Sequence, residues 1–158
     1  MFEKIVGIIS CDKLVSVDRR ISGRRGRGRS KKLALSPEYT RELEQLDHSL
    51  SLTGIPRNSF DKDAFYSLNL TFLLKDNFKR RDSDNLLKAV IDAITRYLGF
   101  DDNKIVSHNA CKRSLSFPKG MEKKEFVIFE IQKLNKKLED FIVPFEKLFL
   151  KEKDVVNE

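Results

Sequence analysis

The sequence lacks the long apolar stretches that mark membrane insertion or secretion. No apolar run approaches the roughly 20 residues of a membrane span, and the short run after residues 1–4 is not the apolar region of a secretory signal. Cys11 and Cys111 lie far apart and form no CxxC motif, which favours reduced thiols over a disulfide or zinc site. These absences predict a soluble, cytoplasmic protein.

Acidic residues are outnumbered, with 24 Asp and Glu against 31 Lys and Arg, which gives a net charge of +7. One segment without acids carries eight of the basic residues: Arg19, Arg20, Arg24, Arg25, Arg27, Arg29, Lys31 and Lys32. Such a cluster favours nucleic acid as the partner. Residues 22–32 contain no hydrophobic side chain, so we expect them to order on a phosphate backbone. The alternative is a solvated loop.

The chain is long and apolar enough for one domain with a real core, because 40% of its 158 residues are hydrophobic and twelve are Phe. Apolar runs and alternation predict strands at 2–10, 64–75, 105–117 and 125–133. Ser36 and Pro37 predict the start of a helix that continues to Leu50, and a second helix is predicted at 85–98.

Four aspartates stand at the two ends of the second predicted helix. Asp82 and Asp84 alternate across the turn that opens it, and Asp101 and Asp102 follow the stop at Gly99. N-capping explains one aspartate at the opening turn but leaves the second unexplained. A hard cation such as Mg²⁺ binds carboxylates, water and phosphate together. The pattern therefore predicts metal ligation beside a basic entry formed by Lys79, Arg80 and Arg81.

The same helix carries a narrow polar stripe, since Asp84, Lys88 and Asp92 follow one another at four-residue spacing. A lysine next to a metal-binding carboxylate can stabilise the charge that builds up on a scissile phosphate. The alternative role of Lys88 is an i,i+4 salt bridge. We interpret Asp92 as structural, paired with Lys88 or with Arg96.

The motif resembles the RusA family of Holliday-junction resolvases. The residues that carry the resemblance are Arg80 to Leu86, Lys88-Ala89, Asp92-Ala93, Gly99-Phe100-Asp101-Asp102 and Val106. A looser similarity includes the basic loop, the run Leu35-Ser36-Pro37-Glu38-Tyr39 and the strand near 126, so the resemblance extends over residues 1–133. The first strand departs from the family pattern, because it continues into Lys13-Leu14-Val15-Ser16-Val17.

The resemblance implies an α+β fold, with a small mixed β-sheet flanked by helices, as a RusA-like nuclease domain over 1–133. Residues 134–158 are expected to form a C-terminal helical extension, which packs on the core or docks another subunit or protein. The family further implies a homodimer that resolves four-way DNA junctions with Mg²⁺ or Mn²⁺, in DNA recombination and repair. By resemblance, the catalytic and metal-binding acids are Asp82, Asp84 and Asp102, with Asp101 as a further candidate ligand, and Lys88 is the catalytic lysine.

The length of the second helix poses a geometric problem for this site. A helix over 85–98 spans roughly 21 Å, whereas carboxylates that share a metal lie within about 5 Å. We expect one of two solutions. Either the helix ends early, near Thr95, and the chain folds back, or two helices pack across a dimer axis and form composite active sites.

Two other functions are compatible with the residues alone. A non-catalytic nucleic-acid-binding module would use the aspartates only as helix caps. A metal-dependent nuclease could act instead on flaps, single strands or RNA, because a metal site does not by itself choose the substrate's geometry. Only the family resemblance favours branched DNA.

Overall fold

The computed structural model describes residues 3–15, 21–22, 34–75, 79, 81 and 83–142, with the backbone alone at 21–22, 34–35 and 83–85. The strands are β1 Lys4–Cys11, β2 Ile21–Ser22, β3 Ala34–Leu35, β4 Phe65–Leu74, β5 Ile105–Ser114 and β6 Glu125–Leu134. The α-helices are α1 Pro37–Ser51 and α2 Ser83–Leu98, and short 3-10 turns occupy Asp102–Lys104 and Leu138–Phe141.

Four strands form a mixed sheet in the order β1-β6-β4-β5. β4 and β5 run parallel, and β6 is antiparallel to both β1 and β4. A parallel pair needs a crossover connection, and α2 supplies it between β4 and β5. β2 and β3 form a separate two-stranded ladder. The predicted α+β class with a small mixed sheet and helices is confirmed.

α1 packs against both β1 and α2. α1 begins where Ser36 and Pro37 predicted. The Ser36 hydroxyl accepts a hydrogen bond from the backbone N–H of Tyr39 at 3.1 Å, and Pro37 is the first residue of the helix. α2 ends at Gly99, whose φ of +85° favours glycine. The N–H of Phe100 then bonds the carbonyl of Thr95 at 3.1 Å, which closes the last turn.

The core lies between the helices and one face of the sheet. On β4 the even-numbered side chains from Tyr66 to Leu74 are buried, and they alternate with more exposed odd-numbered residues. Phe65, the first residue of the strand, is only half-buried. β6 follows the same rule, with Val127, Phe129 and Ile131 fully buried. α2 contributes apolar residues from most of its described surface.

In the described part of the predicted C-terminal extension, one short turn follows β6. Leu138–Phe141 form a 3-10 turn, and the Phe141 ring packs edge-on against Phe65 with centroids 5.1 Å apart. The remainder of the predicted extension, from residue 143 onward, lies outside the described residues. Within the part of the chain that the structure describes, no helix is long and apolar enough to cross a membrane.

Candidate metal-dependent active site

The four aspartates of the motif differ in how much of them the structure describes. Asp82 lies outside the described residues, and of Asp84 only the backbone is described, in the first turn of α2. Asp101 and Asp102 are both exposed on the segment that follows Gly99. Asp101 caps the 3-10 turn, since its side chain accepts the N–H of Asn103 at 3.2 Å. Asp102 is the first residue of that turn.

Lys88 lies at the centre of the described part of the site. Its ammonium nitrogen is 2.7 Å from Oδ2 of Asp102 and 2.8 Å from Oδ1 of Asp92. The hydrogen bond that Lys88 donates holds the pKa of Asp102 below its usual range. In turn, the hydrogen bonds to Asp102 and Asp92 raise the pKa of Lys88. At neutral pH the site therefore holds a fixed cation between two carboxylates.

The contact between Lys88 and Asp102 depends on how the chain leaves α2. The backbone N–H groups of Asn58 and Phe60 donate to the carbonyls of Tyr97 and Leu98, at 3.1 and 3.3 Å, and hold the helix end against the 55–60 loop. Phe100 is buried, with its ring centroid 4.5 Å from that of Tyr66. This anchor reverses the chain, so Asp102 returns along the side of the helix.

This geometry corrects one expectation from the sequence. The helix does not end near Thr95, because α2 is unbroken to Leu98. The fold-back nevertheless occurs after Gly99, and the long side chain of Lys88 bridges the remaining distance to Asp102 within one chain. A site that combines Asp102 with Asp82 and Asp84, from one chain or from two, stays a prediction, because the side chains of Asp82 and Asp84 lie outside the described residues. The homodimer itself stays a prediction.

Asp92 connects the site to α1. The hydroxyl of Tyr39, a residue only 2% exposed, donates to Oδ2 of Asp92 at 3.1 Å. The predicted pairing of Asp92 with Lys88 is present through the other oxygen, Oδ1. Since a buried tyrosine holds one oxygen and Lys88 the other, Asp92 limits the positions that the lysine can adopt. An open groove of about 440 Å³ runs beside this cluster, with Arg96, Asp101 and Asp102 in its lining.

The described carboxylate oxygens suit a hard cation, but the described residues alone do not form a complete metal-coordination site. Among the described residues, no group of three or more His, Cys, Asp and Glu side chains is arranged to hold a metal. Asp101 and Asp102 offer exposed carboxylate oxygens, which are the donors that Mg²⁺ prefers. Two predicted ligands, Asp82 and Asp84, have no described side chain. The backbone of Asp84, in the first turn of α2, lies about one helical turn before Lys88.

Two of the predicted DNA-binding residues, Lys79 and Arg81, lie within the described part of the chain. Those outside the described residues are Arg19, Arg20, Arg24, Arg25, Arg27, Arg29, Lys31, Lys32 and Arg80. Lys79 is exposed. Arg81 is 14% exposed and pairs with Glu125, whose side chain is fully buried. The guanidinium of Arg81 is therefore committed to the protein interior and is not part of an exposed basic surface.

Two buried acids beside the motif were missed by sequence reasoning. Glu125 is in phase with the buried positions Val127 and Phe129 of β6, and Glu42 is in phase with the buried Tyr39 and Leu46 of α1. An acid at an apolar position of a periodic pattern is the signal that could have found both. Burial raises the pKa of Glu42 to about 8.

No protein-family model matches the chain, and no curated protein matches it either. We therefore infer function from the contacts of the site and from the resemblance of the motif.

Proposed function

We propose that this protein is a metal-dependent endonuclease that resolves four-way DNA junctions, as the resemblance to the RusA family implies. The observation that supports this proposal best is the 2.7 Å contact of Lys88 Nζ with Asp102 Oδ2. Residues 14 positions apart, both named as catalytic by the motif, are neighbours in space. A role limited to helix capping gives Asp102 no reason to lie beside Lys88.

The site supplies the charges that phosphodiester cleavage needs. Asp82, Asp84 and Asp102 would hold the metal, with Asp101 as a further ligand, and their oxygens suit Mg²⁺ or Mn²⁺. The bound metal would lower the pKa of the attacking water and neutralise the leaving oxygen. Lys88 contributes three N–H donors. Its ammonium group would stabilise the extra negative charge on the phosphate in the transition state.

The lysine is positioned before substrate arrives. Asp92 and Asp102 accept its hydrogen bonds from two sides, and Tyr39 orients Asp92. A cation that is already fixed needs little reorganisation during the reaction, and such fixed charges give the largest electrostatic contribution to catalysis. Lys88 is 38% exposed, so a phosphate oxygen can still reach it.

The basic residues would bind the DNA backbone. The cluster between residues 19 and 32 provides eight positive charges, and Lys79 adds an exposed charge close to the acidic turn. Each phosphate contact releases condensed counterions, so the affinity should fall steeply as salt rises. A four-way junction offers two strands for cutting, and a two-fold homodimer would present two equivalent sites to them.

The proposal is tested with an immobile four-way junction labelled on each strand in turn, with linear duplex and single strand as comparison substrates. We expect paired, symmetric nicks near the crossover that require Mg²⁺ or Mn²⁺ and are lost in Asp82→Asn. Equal cutting of flaps, single strands or RNA would instead favour a nuclease of other specificity. Tight junction binding without cleavage in either metal would show that the protein is a binding module.

A further inference from the structure

Glu125 binds three separate segments of the chain, at Leu14, Lys75 and Arg81. It is the first residue of β6 and is 0% exposed. Its Oε2 accepts the backbone N–H of Leu14 at 2.6 Å, and its Oε1 accepts the N–H of Lys75 at 3.4 Å. Oε1 also pairs with Nη1 of Arg81. Both carboxylate oxygens are therefore used, as a buried charge requires.

Arg81 completes the arrangement around Leu14. Its Nη2 donates to the carbonyl oxygen of Leu14, while Glu125 accepts the N–H of the same residue. The main-chain donor and acceptor of Leu14 are thus bound by the two members of one ion pair. Leu14 is itself buried, with 1% exposure. The position at which the chain leaves β1 toward the basic cluster is fixed by this pair.

The same pair includes the residue that comes before the acidic turn, the part of the motif that contains Asp82 and Asp84. Arg81 directly precedes Asp82, and the ammonium group of Lys112, on β5, donates to the carbonyl oxygen of Arg81. That carbonyl belongs to the peptide bond between Arg81 and Asp82. Side chain and backbone of Arg81 are therefore both anchored immediately before a predicted metal ligand.

A buried ion pair of this kind is a poor source of net stability, because removing two charges from water offsets most of their attraction. Its effect is geometric: a guanidinium donates along fixed directions, so it can bind a carboxylate and a carbonyl at once only in one orientation. A lysine at the same position would have to reach both acceptors from a single nitrogen on a flexible side chain, so it would not hold them in the same fixed geometry.

We propose that Arg81 and Glu125 are a positioning pair that couples the basic segment to the acidic turn. The pair fixes the position of Leu14, which precedes the basic segment, relative to Arg81, which precedes Asp82. A DNA backbone bound by the basic residues would then meet the metal-binding carboxylates at a defined position. This inference rests on the proposed nuclease activity. It assigns Arg81 a role inside the protein, in place of a direct contact with DNA.

The test compares Arg81→Lys and Glu125→Gln with wild type in three measurements: the single-turnover rate on a saturating junction, the Mg²⁺ concentration at half-maximal rate, and junction affinity in Ca²⁺. Misplacing a reactive group by about 1 Å can cost on the order of 10²-fold. We therefore expect a rate loss of roughly 10- to 100-fold and a higher Mg²⁺ requirement, with affinity changed less than about 3-fold. Glu130→Gln, on the same strand but paired with Lys4 at the surface, is the matched control.

The double variant Arg81→Met with Glu125→Met separates positioning from folding. Apolar residues of similar volume often replace a buried ion pair at little cost, but here they also leave the N–H and C=O of Leu14 without partners. Thermal melting should therefore shift to lower temperature but stay cooperative. The proposal expects cleavage to stay impaired in this folded variant. Restored cleavage would show that the pair serves stability alone and would overturn the proposal.

Two further outcomes are distinguishable. If Arg81→Lys lowers junction affinity but leaves the saturated rate and the Mg²⁺ requirement unchanged, Arg81 contacts DNA directly and the positioning role is overturned. If wild-type protein itself cleaves no junction in Mg²⁺ or Mn²⁺, the proposed function fails, and the positioning role fails with it.

Discussion

Lys88 Nζ lies 2.7 Å from Asp102 Oδ2, although the two residues stand on opposite sides of the turn that ends α2. A helix of this length cannot bring its own ends together. The chain reverses at Gly99 and returns Asp102 toward the first half of the helix, where the long side chain of Lys88 contacts it. The site is thus built within one chain as far as its described residues show.

Replacing Lys88 with Met should abolish most activity without unfolding the protein. Removing one preorganised donor from a charged transition state costs about 10²- to 10³-fold in rate. Lys88 is 38% exposed, so the loss of its ion pairs should lower the free energy of unfolding by no more than about 1 kcal/mol. Single-turnover cleavage and chemical denaturation measure the two effects separately. A variant that cleaves within about 3-fold of wild type would exclude Lys88 from catalysis.

Gly99→Ala should destabilise the turn that returns Asp102 to the site. A Cβ at this position would lie 2.8 Å from the Cα of Asn58, and φ is +85°. Gly120→Ala is the matched control, because its φ is +81° and no described atom lies within 4 Å of its Cβ. The control should lose only the free energy that it costs to hold an alanine in a left-handed backbone conformation, about 1 to 2 kcal/mol. Gly99→Ala should lose about 1 to 3 kcal/mol more through overpacking. Equal losses in thermal or urea unfolding would contradict the turn geometry.

Glu42 should make the protein less stable as pH rises through the neutral range. It is 1% exposed, and within the described part of the chain neither carboxylate oxygen has a hydrogen bond of normal geometry. Burial raises its pKa to about 8, and the nearby Val15 N–H and Arg81 guanidinium offset only part of that effect. The unfolded chain loses this proton near pH 4.3. Between these two values the folded state binds more protons, so the free energy of unfolding falls with pH and levels off above about 8.

The Glu42→Gln substitution tests whether Glu42 causes the free energy of unfolding to fall as pH rises. The substitution removes the titrating group, so the fall in unfolding free energy between pH 5 and 8 should become shallower, by a few kcal/mol at most over the range. Glu44→Gln, at an exposed position on the same helix, is the control and should keep the wild-type slope. Parallel curves for wild type and Glu42→Gln in urea unfolding at several pH values would refute the assignment.

Mixing two inactive variants tests whether the site belongs to one chain. If Asp82 and Asp102 act in the same subunit, each site of an Asp82→Asn and Asp102→Asn heterodimer carries one substitution, and mixing restores nothing. In a composite site, one of the two sites would contain both substitutions and the other neither. Mixing would then restore nicking of one strand. Because Asp102 contacts Lys88 of its own chain, we expect no restoration.

The sequence predicts the local features of this fold well and the long-range ones poorly. Alternation locates the strands, and the Ser36 and Pro37 signal locates the start of α1. The meeting of Lys88 with Asp102 depends on the reversal after Gly99, which no periodicity encodes. The ion pair of Arg81 was not predicted for the same reason, because its partner Glu125 is 44 residues away. An acid at a position that is in phase with buried residues indicates that the acid has a buried partner. The pattern does not identify which residue that partner is.

The most direct test of the account is the rate at which Asp102→Asn cleaves a bound four-way junction in Mg²⁺, measured under single turnover beside wild type and Asp63→Asn. Asp63 is an exposed acid outside the site. Junction affinity is measured in Ca²⁺ for all three proteins. We expect full binding by each protein, wild-type cleavage by Asp63→Asn, and at least about 10²-fold slower cleavage by Asp102→Asn. Wild-type cleavage by Asp102→Asn would show that the Lys88–Asp102 cluster is not the active site.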